Sequence, residues 1–145
     1  MLPQDPDLQL IVSCDGAARG NPGPAGVGVV ITSADGKVLD EIGRGIGEAT
    51  NNVAEYTAVI DGLTRAAELG AGQVLVRSDS RLLVEQVSGN FKVKNEKLRE
   101  LHEKVRELGR RFESVEFAHV PRELNAAADK LANRGVDSWL AGESG

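Results

Sequence analysis

At 145 residues, 41% of them hydrophobic, the chain is the size of one domain with room for a real core. No apolar run approaches the ~20 residues of a membrane helix, and a single cysteine excludes an internal disulfide framework and suits a reducing compartment. The net charge of −5 runs against nucleic-acid binding, whose usual footprint is a basic face, unless local cations or divalent metal offset clustered acids. The acidic, proline-containing start "MLPQDPDLQL" lacks the positive region of a signal peptide, so a cytoplasmic protein without membrane contact is expected, with residues 1–7 as a tail.

"LQLIVSCD" (8–15) alternates as a strand, with Leu8, Leu10, Val12 and Cys14 on one face and Ile11, Ser13 and Asp15 on the other. "GVGVVIT" (26–32) and "KVLDEIGRGI" (37–46) read as the next two strands, joined by the hairpin-type turn "SADG". The period then changes. Tyr56, Val59, Ile60, Leu63 and Ala67 recur at helical spacing, and Gly70 stands where that helix would end. "QVLVRSD" (73–79) has no hairpin partner, so it joins the sheet in parallel through a helical crossover. Helices are expected over about 80–87 and, with Leu98, Leu101, Val105 and Leu108 as buried stripe, over about 95–111. "VEFAHV" (115–120) is the last strand, and Pro121 begins a final helix reaching at least Val136. The result is an α/β domain over 8–138, a mixed five-stranded sheet flanked by helices, with 139–145 as a tail or linker.

Four acids fall at suggestive points. Asp15 ends the first strand and opens the Gly/Pro-rich turn "DGAARGNPGPAG"; Asp79 ends the fourth. If those strands are parallel neighbours, the two carboxylates sit side by side beyond their carboxyl ends, and a proton or a cation must relieve them. Each acid alone has a plainer reading. Asp15 is a turn residue, Asp79 a helix cap, Glu55 the partner of Asn52 in a capping-box-like "NNVAE", and Asp129 a solvated helix position.

Taken in order, "DGAARGNPGPAG", "ATNNVAEYTAVIDGL", "SDSRLLVEQV" and "HVPRELNAAADKLAN" resemble type 1 ribonuclease H over about residues 8–137. The resemblance is to the bacterial or archaeal-like form that lacks a basic protrusion. Resolvases, integrases and some exonucleases share the broad architecture, but "NN..E" and "GNPGP" favour ribonuclease H. The resemblance implies an endonuclease that cuts the RNA strand of RNA–DNA hybrids and leaves 5′-phosphate and 3′-hydroxyl ends. It implies Asp15, Glu55, Asp79 and Asp129 as catalytic ligands of two Mg2+ ions, or Mn2+ in their place, about 4 Å apart. Asp15 would bridge the two, Asp129 would be the outer ligand, and Glu55 would lie close to the ribose 2′-hydroxyl.

The same resemblance assigns substrate contacts to Gly16, Ala17, Arg19, Asn21, Thr50, Asn51, Asn52 and Arg81. Gly16, lacking a side chain, would let a ribose approach the backbone, and Asn21 with the turn after Thr50 would form a phosphate pocket. Lys92, Lys94 and Lys97 remain for a backbone grip and Phe91 for sugar stacking, while "EKLRELHEKVRELGRR" reads as a solvated face with i,i+4 pairs and His102 toward solvent. Family members often carry a proton-transferring histidine in a loop before the last acid. His119 has the parity of a sheet residue here, so Arg122 in "PRELN" is the expected substitute. A monomer is expected, alone or as the nuclease part of a bifunctional protein with a fused phosphatase domain. A non-catalytic hybrid- or RNA-binding module would be expected to lose one of the acids, and all four are present.

Overall fold

The computed structural model describes residues 3–142. Five strands, β1 (Asp5–Ala18), β2 (Gly23–Ser33), β3 (Val38–Ala49), β4 (Ala71–Ser78) and β5 (Ser114–His119), form one sheet in the order β3-β2-β1-β4-β5. The first three are an antiparallel meander, and β4 and β5 add in parallel beside β1, as the missing hairpin partner of "QVLVRSD" predicts. The helices are α1 (Asn51–Glu68), α2 (Arg81–Val87), α3 (Glu96–Gly109) and α4 (Ala126–Leu140). β1 starts at Asp5, ahead of the apolar run, because the Asp5 amide donates to Gly70 O at 2.8 Å. Of the expected tails, residues 1–2 and 143–145 lie outside the described residues.

Alternation along the strands divides the domain into two layers of packing. Leu10, Val12 and Cys14 of β1 join Val27, Val29 and Ile31 of β2 and Val74 and Val76 of β4 under α1, whose Tyr56, Val59 and Leu63 close the main core. The opposite face of β2 carries Gly26, Gly28 and Val30. A Cβ on Gly28 would overlap the Ala128 carbonyl, and one on Gly135 would stand 2.5 Å from the backbone of Arg44. Backbone therefore lies directly on backbone, and α4 sits as close to the sheet as a helix can.

Two terminal details differ from the sequence reading. Residues 122–125 form a 3₁₀ turn, and α4 starts only at Ala126. Thr50, not Asn52 with Glu55, caps α1: its hydroxyl accepts from the Val53 amide at 3.2 Å. Glu55 is thereby released from capping duty and buried.

Candidate active site

The parallel register sets Cys14 opposite Ser78, so the next residue of each strand, Asp15 and Asp79, emerges at the same end of the sheet. Asp79 does not cap α2, because Ser80 does, accepting from Leu83 N at 3.2 Å. Gly16 then brings β1 against α1. A Cβ there would overlap the backbone of Ala54 and Glu55, so the missing side chain serves contact between strand and helix, a need that its type alone did not show. The consequence is that carboxylate oxygens of Asp15, Glu55 and Asp79 all lie within 4.8 Å of one another. Asp129, on the first turn of α4, completes the wall of the same cavity of about 180 Å³.

These groups are crowded, and two of them are dry. Asp15 and Glu55 are 4% and 5% exposed. Burial, a hydrogen bond with Asp129 and the charges of Asp79 and Asp129 push the Asp15 carboxyl up to about 8. Burial, then the charges of Asp15 and Asp79, raise Glu55 well above the usual carboxylate range, against a weak pull downward from the Gly16 amide. Glu55 Oε2 is buried with no hydrogen-bond partner among the described residues. A buried acceptor left unpaired costs free energy that a cation would recover. The all-oxygen donor set fits a hard divalent ion.

The expected substrate residues separate. Gly16, Ala17 and Asn51 line the cavity, as does Arg122 at its edge. Asn21 Oδ1 accepts from the Asn51 amide at 3.0 Å, so one of the amides expected to face a phosphate is taken within the protein. Thr50 is the cap, and Asn52 and Arg81 are exposed away from the cavity lining. Arg19 turns to α4, pairing with Asp137 at 2.7 Å. His119 is the last residue of β5, within the sheet as its parity predicts and exposed. His102 is half-buried rather than turned to solvent: its Nε2 lies 3.1 Å from Gln86 O and its ring meets Tyr56 edge-on. Among the described residues no ion pair closes within α3, contrary to the expected i,i+4 ladder.

Residues 13–135 match the family described as reverse transcriptase-like. Ribonuclease H1 of the halophilic archaeon Halobacterium salinarum superposes with a TM-score of 0.88 at 43% identity, covering 90% of this chain and 98% of that one. This chain belongs to the type 1 ribonuclease H family. A ribonuclease H1 called LC11, solved in complex with an RNA/DNA hybrid, is 45% identical with a TM-score of 0.86, over 90% of this chain and 99% of its own. The bifunctional protein Rv2228c of Mycobacterium tuberculosis is 46% identical over 132 residues, 90% of this chain but 36% of that protein. The chain thus spans about a third of the length of that mycobacterial relative.

Within this ribonuclease H fold, one residue given no role from sequence belongs to the site's frame. Asn125, 2% exposed, donates Nδ2 to Cys14 O at 2.8 Å and so ties the turn before α4 to β1 beside Asp15. Its place at the head of "NAAAD", four residues before Asp129, was the available signal, although Asn125 itself sits in the turn just before α4.

Proposed function

We propose that this protein is an endonuclease that hydrolyses the RNA strand of RNA–DNA hybrids, leaving 5′-phosphate and 3′-hydroxyl ends. The observation that carries the reading is the close trio of buried Asp15, buried Glu55 and half-buried Asp79, with Asp129 beside it, in a ribonuclease H fold. Carboxylates this close, two of them out of water, coexist only when protonated or joined by cations. Asp15, Glu55, Asp79 and Asp129 would hold two divalent ions, Mg2+ first and Mn2+ as substitute. When bound, such ions supply an activated water and charge stabilisation at the leaving oxygen.

The chain's own groups do the rest. Glu55 and the backbone of Gly16 and Ala17 line the cavity where the ribose 2′-hydroxyl, the handle that separates RNA from DNA, has to be read. The Arg122 guanidinium, lining the same cavity, offers a planar fork of donors to a phosphate. The hybrid bound to LC11 supports the substrate class. The bifunctional name of Rv2228c supports a nuclease unit over 8–138 working beside a second catalytic domain, fused or separate.

The test is incubation of labelled hybrid, duplex DNA, duplex RNA and single-stranded RNA, each with Mg2+ or with chelator. Cutting of the hybrid alone, only with metal, is expected. Cleavage that persists in chelator, or that treats all four alike, overturns the reading.

A further inference from the structure

A second cavity, of about 490 Å³, lies under the segment 88–95 that joins α2 to α3 and shares no lining residue with the carboxylate cavity. Residues 91–99 carry Lys92, Lys94, Lys97 and Arg99 against one acid, Glu96, in a chain whose net charge is −5. The segment has no helix or strand of its own, yet it is tied down. Asn90 N and Phe91 N donate to Glu85 O at 2.8 and 3.1 Å, and Arg99 Nε donates to Val93 O at 2.9 Å.

One tie comes from the interior. Gln86, 6% exposed, donates Nε2 to Lys92 O at 3.3 Å. Its Oε1 accepts from the buried Tyr56 hydroxyl at 2.7 Å, which fixes which way the amide faces. His102 Nε2 meets Gln86 O at 3.1 Å from the other side, and its ring packs edge-on against Tyr56. Tyr56 follows Glu55 on α1. The connection therefore runs from the helix that carries a candidate metal ligand, through two buried polar side chains, to the backbone between two lysines. Burial alone does not call for this: an apolar side chain of the same volume would fill the space without needing partners. What a paired buried amide adds is direction.

We propose that Gln86 is a positioning residue that holds the Phe91–Lys94 segment, with its two lysines, at a set distance from the carboxylates so that they meet the nucleic-acid backbone. The assignment rests on the hybrid-cleaving reading. Gln86 itself touches no substrate. Its loss lets the segment drift over the cavity and scatters the cations, while the carboxylates stay as they are.

The experiment compares wild type, Gln86→Met, Lys92→Ala/Lys94→Ala and the triple variant, measuring kcat, KM and the slope of log KM against log [KCl] on a labelled hybrid with Mg2+. Gln86→Met should raise KM about tenfold, with kcat within about twofold. It should also flatten the salt slope by about 2, the same change that removal of two phosphate-contacting lysines produces. Adding Gln86→Met to the lysine variant should then raise KM by no more than about twofold, because the Phe91–Lys94 segment then carries no lysine to be placed. A fall in kcat at unchanged KM, an unchanged salt slope, or multiplicative effects with the lysine variant would overturn the assignment. If Gln86→Met does not fold, Tyr56→Phe replaces it and should shift KM and salt slope in the same direction; no shift overturns the proposal. Fluorescence anisotropy of hybrid binding in chelator keeps the two readings apart. Wild type that binds but never cuts refutes the nuclease reading, and Gln86→Met is then judged on binding, where unchanged affinity refutes it. Wild type that neither binds nor cuts refutes both.

Discussion

Replacing Asp15 by Asn should make the metal-free protein more stable, by an amount that depends on pH. The carboxyl is pushed from an ordinary value of 3.8 up to about 8 in the fold. Between those values the folded state holds a proton that the unfolded chain releases, so stability falls as pH rises through that window. At pH 7 the unfolded chain gains from ionisation over about three pH units, and each unit is worth about 1.4 kcal/mol, so the cost is roughly 4 kcal/mol. Asn keeps the shape and a hydrogen-bonding amide without that cost. At about 3 °C per kcal/mol for a chain of this size, Asp15→Asn should melt about 10 °C higher than wild type at pH 7 in chelator. The gap should shrink to under 2 kcal/mol at pH 5 and vanish near pH 4. Differential scanning fluorimetry across pH 4–8 reads this directly. Millimolar Mg2+ should stabilise wild type and close the gap, since an ion that binds only the folded state adds stability by mass action and the variant binds it poorly. Equal melting temperatures at pH 7 without metal, or a gap that does not depend on pH, would refute the argument that these carboxylates repel one another in a dry site.

Asp79→Asn keeps volume and removes charge; hybrid cleavage should fall by at least about a thousandfold while circular dichroism and melting stay near wild type, and near-normal turnover would sink the assignment of ligands. Arg122→Ala should slow turnover about tenfold or more with little change in hybrid affinity, whereas His119→Ala should behave like wild type; the reverse outcome in steady-state kinetics would move the role to His119. Gly28→Ala inserts a methyl into the Ala128 carbonyl, so α4 must lift from the sheet; a loss of about 2–3 kcal/mol by urea titration is expected, together with lower activity through Asp129. Wild-type stability in that variant would mean that α4 is not seated as closely as its glycine contacts require.

Much of the fold was legible because its elements follow the two periods that govern burial. Alternation exposed β1, β2 and β5, and the 3.6-residue stripe exposed α1 and α3. The start of β1 was not legible because Asp5, Pro6 and Asp7 carry no apolar pattern; a backbone bond to Gly70, distant in sequence, extends the strand. The four acids were found through the order of their motifs, and parallel pairing of β1 with β4 explains why two of them meet. The roles of Gly16 and His102 escaped for one reason. Each depends on a neighbour supplied by another element, the α1 backbone for Gly16 and Tyr56 for His102, and neither neighbour leaves a trace in local spacing. Asn125 escaped similarly, since its partner is a main-chain carbonyl 111 residues earlier.

The seating of α4 on a glycine-lined face of the sheet has a consequence for how this domain can vary. Where helices rest on side chains, their height drifts as those side chains are exchanged over generations. Here the contact includes peptide groups on both sides, at Gly28 against Ala128 and at Gly135 against Arg44. The elevation of Asp129 above β1 is thus referenced to the main chain itself. The opposite layer, under α1, is free to swap one aliphatic for another without retuning the distance between the acid on α4 and the acids on the strands. Adaptation to heat or salt can proceed in one half of the molecule while the geometry that matters is kept in the other.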